Sequence, residues 1–116
     1  MSTQEIQGDQ LRGHLESLIL AILEKSPSHG FQIVKQLEHR GEGALRLREG
    51  TIYPVLYRLE SAGLIRAKWD DSEEDRRGPR RKVYSLTRKG TRRLAESREQ
   101  WQQFVQVIGG ILGATV

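Results

Sequence analysis

The chain has no cysteine, which excludes disulfides, thiol catalysis and zinc fingers. It also has no stretch approaching the roughly 18 apolar residues that a bilayer-spanning helix needs. Met1-Ser2-Thr3-Gln4-Glu5 lacks the charged and apolar parts of a secretory signal. These absences imply a cytoplasmic protein with no membrane partner. The three histidines, His14, His29 and His39, fall on separate segments without ligand spacing. Neither a glycine-rich phosphate loop nor a nucleophile elbow is present. Enzymatic chemistry is therefore not expected, and neither a metal nor a cofactor is called for.

At 116 residues the length suits one domain with a modest core. The net charge is only +4, but its distribution is uneven. Arg76, Arg77, Arg80, Arg81, Lys82, Arg88, Lys89, Arg92 and Arg93 follow one another with no acid between them. Such a density is the electrostatic footprint of a polyanion binder. The acids just before it, Asp70, Asp71, Glu73, Glu74 and Asp75, offset part of that charge.

The segment Gly50 to Ile65 is the most informative stretch. Thr51 suits an N-cap, and Pro54 would then fall in the first turn, where no intrahelical donor is lost. Ile52, Val55, Leu56 and Leu59 recur at helical spacing and predict a core face. Tyr53, Pro54, Tyr57, Arg58 and Ser61 take the opposite side, and Gly63 ends the helix. On this segment alone the tyrosines fit half-buried packing as well as they fit contact with phosphates and base edges.

Elsewhere, residues 1–9 read as a flexible N-terminus. A first helix is predicted from Gln10 to Lys25, with Leu11, Leu15, Leu18, Ile19, Ile22 and Leu23 inward. Ser26 to Gly30 reads as a turn. A second helix, Phe31 to Arg40, turns Phe31, Val34 and Leu37 inward and Gln32, Lys35 and Gln36 outward. Leu45-Arg46-Leu47 is too short for more than an extended connector. Leu64–Trp69 and Lys82–Leu86 read as two strands joined through Gly78-Pro79, with Trp69 a core residue beneath them. A final helix runs from Thr87 to about Ile108, is stopped by Gly109-Gly110, and leaves an apolar tail over 111–116. Leu94, Trp101 and Ile108 recur every seven residues in it, beside Phe104 and Val105. An apolar face of this size would be a liability on a monomer, so this helix and the first are expected to meet a second copy, with packing of the helix on its own domain as the alternative.

The expected fold class is therefore mainly α with a small β-hairpin: a winged helix-turn-helix over residues 10–86 and a C-terminal dimerisation helix over 87–110. At this point Gly50-Thr51-Ile52-Tyr53-Pro54-Val55-Leu56-Tyr57-Arg58-Leu59-Glu60-Ser61-Ala62-Gly63-Leu64-Ile65 closely resembles the signature of the PadR family of bacterial transcriptional regulators. Trp69, the run Gly78 to Thr87, Gly90 and His29-Gly30-Phe31 match the family pattern as well. The resemblance covers roughly residues 10–108, and the single C-terminal helix is like the short subgroup.

The resemblance implies a homodimer on a palindromic operator in double-stranded DNA, acting as a repressor and nucleoid-associated when bound. Thr51, Tyr53, Pro54 and Tyr57 would face the major groove, with Arg58 beside them. Arg77, Arg80 and Arg81 would lie near the phosphate backbone or minor groove, with Gln32 and Lys35 as flanking phosphate contacts. Leu11, Leu15, Leu94, Trp101, Val105 and Ile108 would form the dimer interface. It further implies a small planar aromatic or cationic effector stacked on Trp101, in a cavity lined by Gly13, Ser17, Phe104 and Val105. Trp101 as mere packing in the dimer seam stays open beside that. The alternative function is a winged-helix protein–protein module without specific DNA binding, against which the basic wing argues.

Overall fold

A computed structural model describes Ile6, Leu11 and residues 13–70 and 81–114. The chain runs through α1 (Leu15–Lys25), β1 (Ser28–His29), α2 (Gly30–Arg40), α3 (Glu49–Ser61), β2 (Ile65–Trp69), β3 (Lys82–Leu86) and α4 (Arg88–Leu112). The strands form one antiparallel sheet in the order β1-β3-β2. Ile19, Leu20, Ile22 and Leu23 of α1 meet Ile33, Val34 and Leu37 of α2 and Ile52, Val55, Leu56 and Leu59 of α3. Leu64, Ile65, Tyr84 and Leu94 close this core from the sheet and from α4. Among the described residues no helix is long and apolar enough to cross a membrane.

Ile19, Ile22 and Leu23 of α1, Val34 and Leu37 of α2 and the four spaced residues of α3 are buried as their spacing predicts, whereas Phe31 is exposed and several helix ends differ. The first helix is broken at Gly13, which turns the backbone at φ +87° while His14 N–H closes on Leu11 O at 2.9 Å, so α1 begins at Leu15; Leu11 is helical ahead of the break, and Gln10 lies outside the described residues. Helix α3 starts at Glu49, with Arg48 as the extended N-cap, so Thr51 lies inside the first turn and is not the cap. Pro54 consequently sits one turn deeper than expected. The amide it lacks would have bonded the Gly50 carbonyl. Gly50 is exposed in open space, where water can satisfy that oxygen.

Helix α4 does not stop at Gly109-Gly110 but continues to Leu112, where Gly113 takes the left-handed conformation at φ +75°. Part of the expected tail is thus helix. Ser28 and His29, read as turn, form β1 and pair with Tyr84 and Val83 of β3. Residues 1–9 lie outside the described residues except Ile6, whose N–H donates to Ala44 O at 2.9 Å.

The end of α3 is tied to the start of α4 by a dense set of bonds. Gly63, at φ +75°, lets Leu64 N–H reach Leu59 O and Gly63 N–H reach Glu60 O, both at 2.9 Å, which is a Schellman closure. Thr87 caps α4 by accepting from Gly90 N–H at 3.0 Å, and its hydroxyl donates to Gly63 O at 2.7 Å. Lys89 Nζ donates to Ala62 O at 2.9 Å, a cation at a helix C-terminus. Gly90 passes so close to the Leu64 carbonyl that any side chain there would collide with backbone.

Replacing Thr87 with alanine removes the cap and the Gly63 bond together, and should cost about 1–2 kcal/mol. Gly90→Ala should cost at least the about 1–3 kcal/mol typical of overpacking, since the obstacle is backbone and cannot rotate away. Urea unfolding midpoints measure both, and an unchanged midpoint for Gly90→Ala would contradict the close crossing.

Candidate nucleic-acid interface

Helix α3 buries one side and presents the other. Thr51, Tyr53, Pro54, Tyr57, Arg58 and Ser61 are all exposed. Tyr57 is the most accessible of the outer aromatics on this helix at 72%, against 45% for Tyr53. The two tyrosines therefore differ in role. Tyr53 lies on the first residue of α2: a Cβ added at Gly30 would stand 2.8 Å from its hydroxyl oxygen. That hydroxyl donates to Glu49 Oε2 at 3.4 Å. Burial, and then the Glu49 charge, push the Tyr53 hydroxyl above the ordinary phenol range, so it stays a donor at neutral pH. The Arg81 charge opposes that shift, so the arginine at the base of the wing is within electrostatic reach of the α3 outer face.

The remaining sequence-derived positions divide. Gln32 and Lys35 are exposed on α2, with Lys35 Nζ 4.0 Å from Glu38 Oε2 and 5.3 Å from the Phe31 ring centre. Phe31 itself is exposed and not inward, because Gly30, Ile33, Val34 and Leu37 already fill the core side of α2. Arg58 leans towards α1, its Nε 3.7 Å from Glu16 Oε1. Arg81 is exposed beside β3, while Arg77, Arg80, the Gly78-Pro79 turn and the acids from Asp71 to Asp75 lie outside the described residues. Trp69, expected in the core, is 52% exposed with Lys82 Nζ 5.4 Å from its ring centre. It is in phase with buried Ile65 and half-buried Ala67, but burial falls off along β2 towards its Trp69 end.

The interface expected on α4 is also divided. Leu94 is 2% exposed within the single chain and belongs to the domain core, so it is not available to a partner. Trp101 is 52% exposed, stacked on Phe104 at 5.8 Å and 18°. The His14 ring meets it edge-on at 5.4 Å, which brings the Gly13–Ser17 end of the first helix to the same place. Leu11, Leu15, Ser17 and Val105 are half-buried and Gly13 is exposed. Ile108 continues the apolar face with Val107, Ile111 and Leu112. Arg98 holds α4 to α1 through two bonds to the Glu24 carboxylate, at 2.9 and 2.8 Å. Those bonds hold the Glu24 pKa below the usual carboxylate value. A groove of about 240 Å³ lies elsewhere, between the end of α1 and α2, lined in part by Pro27, Phe31 and Lys35 and by none of the residues expected to hold an effector.

An exposed helix face, a sheet wing beside it and a long C-terminal helix are the parts of a winged-helix regulator. The model of the PadR-like transcriptional regulator family matches residues 19–96, which take in α2, α3, the sheet and the start of α4. The chain belongs to the PadR family.

A PadR family transcription regulator from Clostridium difficile R20291 has a similar structure, with a TM-score of 0.74 and 37% identity over 86% of this chain and 99% of that one. A transcriptional regulator from Clostridium thermocellum superposes with a TM-score of 0.80 at 27% identity, covering 90% of this chain and 96% of that one. The transcriptional regulator YqjI of Escherichia coli is 35% identical over 88 residues, 76% of this chain but only 39% of its own length. PadR proteins are DNA-binding transcriptional regulators and not enzymes.

Sequence reasoning missed β1 and the His29 bonds to Gln32 and Asp70. A two-residue strand carries no periodicity, and its β3 partners and Asp70 are remote in the chain, whereas Gln32, three residues on, is a local capping signal that was passed over. For Tyr53, replacement by phenylalanine keeps the ring on Gly30 and should change stability by less than about 0.5 kcal/mol, since the hydrogen bond removed is long. Tyr53→Ala should cost about 1–2 kcal/mol through reduced burial. Equal unfolding midpoints for the two variants would show that the ring does not pack.

Proposed function

We propose that this PadR protein is a homodimeric repressor that reads a palindromic operator with the outer face of α3. The observation that carries the proposal is Tyr57, 72% exposed beside Tyr53 and Thr51 on a helix face within electrostatic reach of Arg81. Aromatic and hydroxyl side chains on such a helix suit base edges and sugar–phosphate together. Gln32 and Lys35 supply flanking phosphate contacts, with Arg81 at the base of the wing; Arg77 and Arg80, outside the described residues, are proposed to add phosphate contacts from the wing. Arg58 contributes less, since it is shared with Glu16. Occupying a promoter in this way represses by excluding polymerase.

The dimer reading is supported by the apolar face of α4. Trp101, Phe104, Val107, Ile108, Ile111 and Leu112 are exposed in a continuous run along one helix. A patch of this kind on a soluble protein marks an association surface. A two-fold dimer would set two copies of α3 about one helical turn of DNA apart. The effector reading is supported by the near-parallel Trp101 and Phe104 rings beside His14, a surface on which a planar aromatic or cationic molecule gains by stacking.

Binding to duplex from the chain's own upstream region should fall steeply with salt. Loss of that dependence sinks the DNA reading. Lys35→Ala with Arg81→Ala should lower affinity for every duplex and reduce the salt slope by about 0.9 for each phosphate that is no longer neutralised. Tyr57→Ala should instead narrow the preference for operator over random sequence, by about 1–3 kcal/mol if it reads a base pair. Ile108→Lys should yield monomers in sedimentation without lowering helix content, and a persisting dimer would move the interface off α4. Trp101 fluorescence, followed in a Trp69→Phe background, should be quenched by planar aromatics. An unresponsive Trp101 across a broad panel would assign it to the seam.

A further inference from the structure

The connector between α2 and α3 carries two arginines that none of the roles above uses, Arg46 and Arg48. Its side chains alternate in burial, as extended backbone requires. Leu45 is buried and lies against Gly41, and Leu47 is half-buried and packs on the core. Arg46 and Arg48, in the opposite phase, are both exposed. The two leucines thus pin the backbone from the inside and leave both arginines on the solvent side, immediately before the presented helix.

Arg48 is also the N-cap of α3, and its side chain makes no capping bond there. By contrast, Thr87 caps α4 and His29 caps α2 with their side chains. A short polar side chain at this position would stabilise α3, and a cation beside the positive end of a helix does the reverse. The helix therefore gains nothing from an arginine as its cap. Ion pairing does not account for it either. Arg58 is matched with Glu16 and Arg98 with Glu24, but among the described residues Arg46 and Arg48 have no ion pair. Glu49, the adjacent acid, accepts from Tyr53 instead. Two uncompensated cations on a pinned backbone call for an anion from outside the chain.

We propose that Arg46 and Arg48 bind two backbone phosphates of the operator beside the start of α3. The inference deepens the DNA-binding reading above and rests on it. A guanidinium presents its donors in a planar fork that matches two phosphate oxygens. With the connector backbone already fixed by Leu45 and Leu47, binding has only the two side chains to order. Such contacts carry no sequence information; they set the register and orientation in which α3 meets the base edges.

The test uses the full chain, its Arg46→Ala and Arg48→Ala variants singly and together, the corresponding Arg→Lys variants, and Arg48→Ser. The double alanine variant should bind upstream and random duplex more weakly by similar factors, with a salt slope shallower by about 1.8, or about 0.9 for each phosphate left unneutralised. Lysine at both positions keeps the charge and should restore most of that slope. Neutral methylphosphonates placed one at a time in the duplex should reveal a phosphate for each arginine. Its replacement weakens the wild type and leaves the matching alanine variant unchanged. Arg48→Ser should weaken binding while holding or raising the urea midpoint, since serine caps a helix and arginine does not.

Wild-type affinity and slope in the double alanine variant overturn the proposal. So does a loss confined to the operator, or the absence of any phosphate whose replacement the alanine variants ignore. A lower midpoint for Arg48→Ser would assign Arg48 to the fold and overturn its part. If the wild type binds no duplex in a salt-sensitive way, the DNA reading has failed and the two contacts with it. If it binds, and responds to Lys35→Ala with Arg81→Ala but not to the loss of Arg46 and Arg48, the connector contacts alone have failed.

Discussion

The rest of the structure depends on the knot at Thr87. One hydroxyl caps α4 and at the same time bonds the carbonyl of Gly63, the residue that closes α3. Lys89 adds its ammonium to the α3 C-terminus, and Gly90 allows the α4 backbone to cross the Leu64 carbonyl. These contacts engage backbone groups that a helix end leaves unpaired, so they satisfy an obligation and set a geometry together. The end of the presented helix and the start of the longest one are held as one rigid corner. The sheet leaves from the same corner, since Thr87 N–H bonds Leu64 O just before β2 and just after β3.

From that corner, the two functional surfaces are built by different physics. The α3 surface is small and polar-aromatic, and its side chains are partly restrained by contacts within the domain. Tyr53 rests on Gly30 and bonds Glu49, Arg58 leans on Glu16, and Tyr57 stands out into solvent. A surface that is half preorganised loses less side-chain entropy on binding than one built from free side chains. The α4 surface is apolar; near its start the helix is held by Leu94 in the core and by the Arg98–Glu24 pair, and His14 meets Trp101 edge-on. Beyond it, Trp101 to Leu112 offer area and little polar constraint, which suits association.

Much of this was legible from residue spacing. Ile52, Val55, Leu56 and Leu59 are buried as their period requires, and Gly63 takes the positive φ that its place after the helix suggested. The outward set on α3, and Gln32 and Lys35 on α2, are exposed as their spacing implied. The errors share one cause, namely that local signals do not report what lies across the chain. Thr51 has good capping chemistry, yet α3 begins two residues earlier, at Glu49. Gly109 and Gly110 are weak helix formers, yet α4 runs through them to Gly113. Phe31 and Trp69 are large and apolar, but each lies where the core has already been filled or has ended.

By itself, then, the sequence determined the class of fold, the identity of the presented helix and the family, because periodicity, turn chemistry and motif spacing are local and additive along the chain. Tertiary structure decided which of the exposed residues are free to act. Leu94 is core and Trp101 is surface although both fit one heptad, since only the first falls under the three-helix layer. Tyr53 and Tyr57 are one turn apart on the same face, and only the first meets Gly30. His29 and Asp70 are 41 residues apart and become partners because a two-residue strand pairs with β3. Burial and pairing are set by neighbours that are remote in sequence, and no local pattern encodes them.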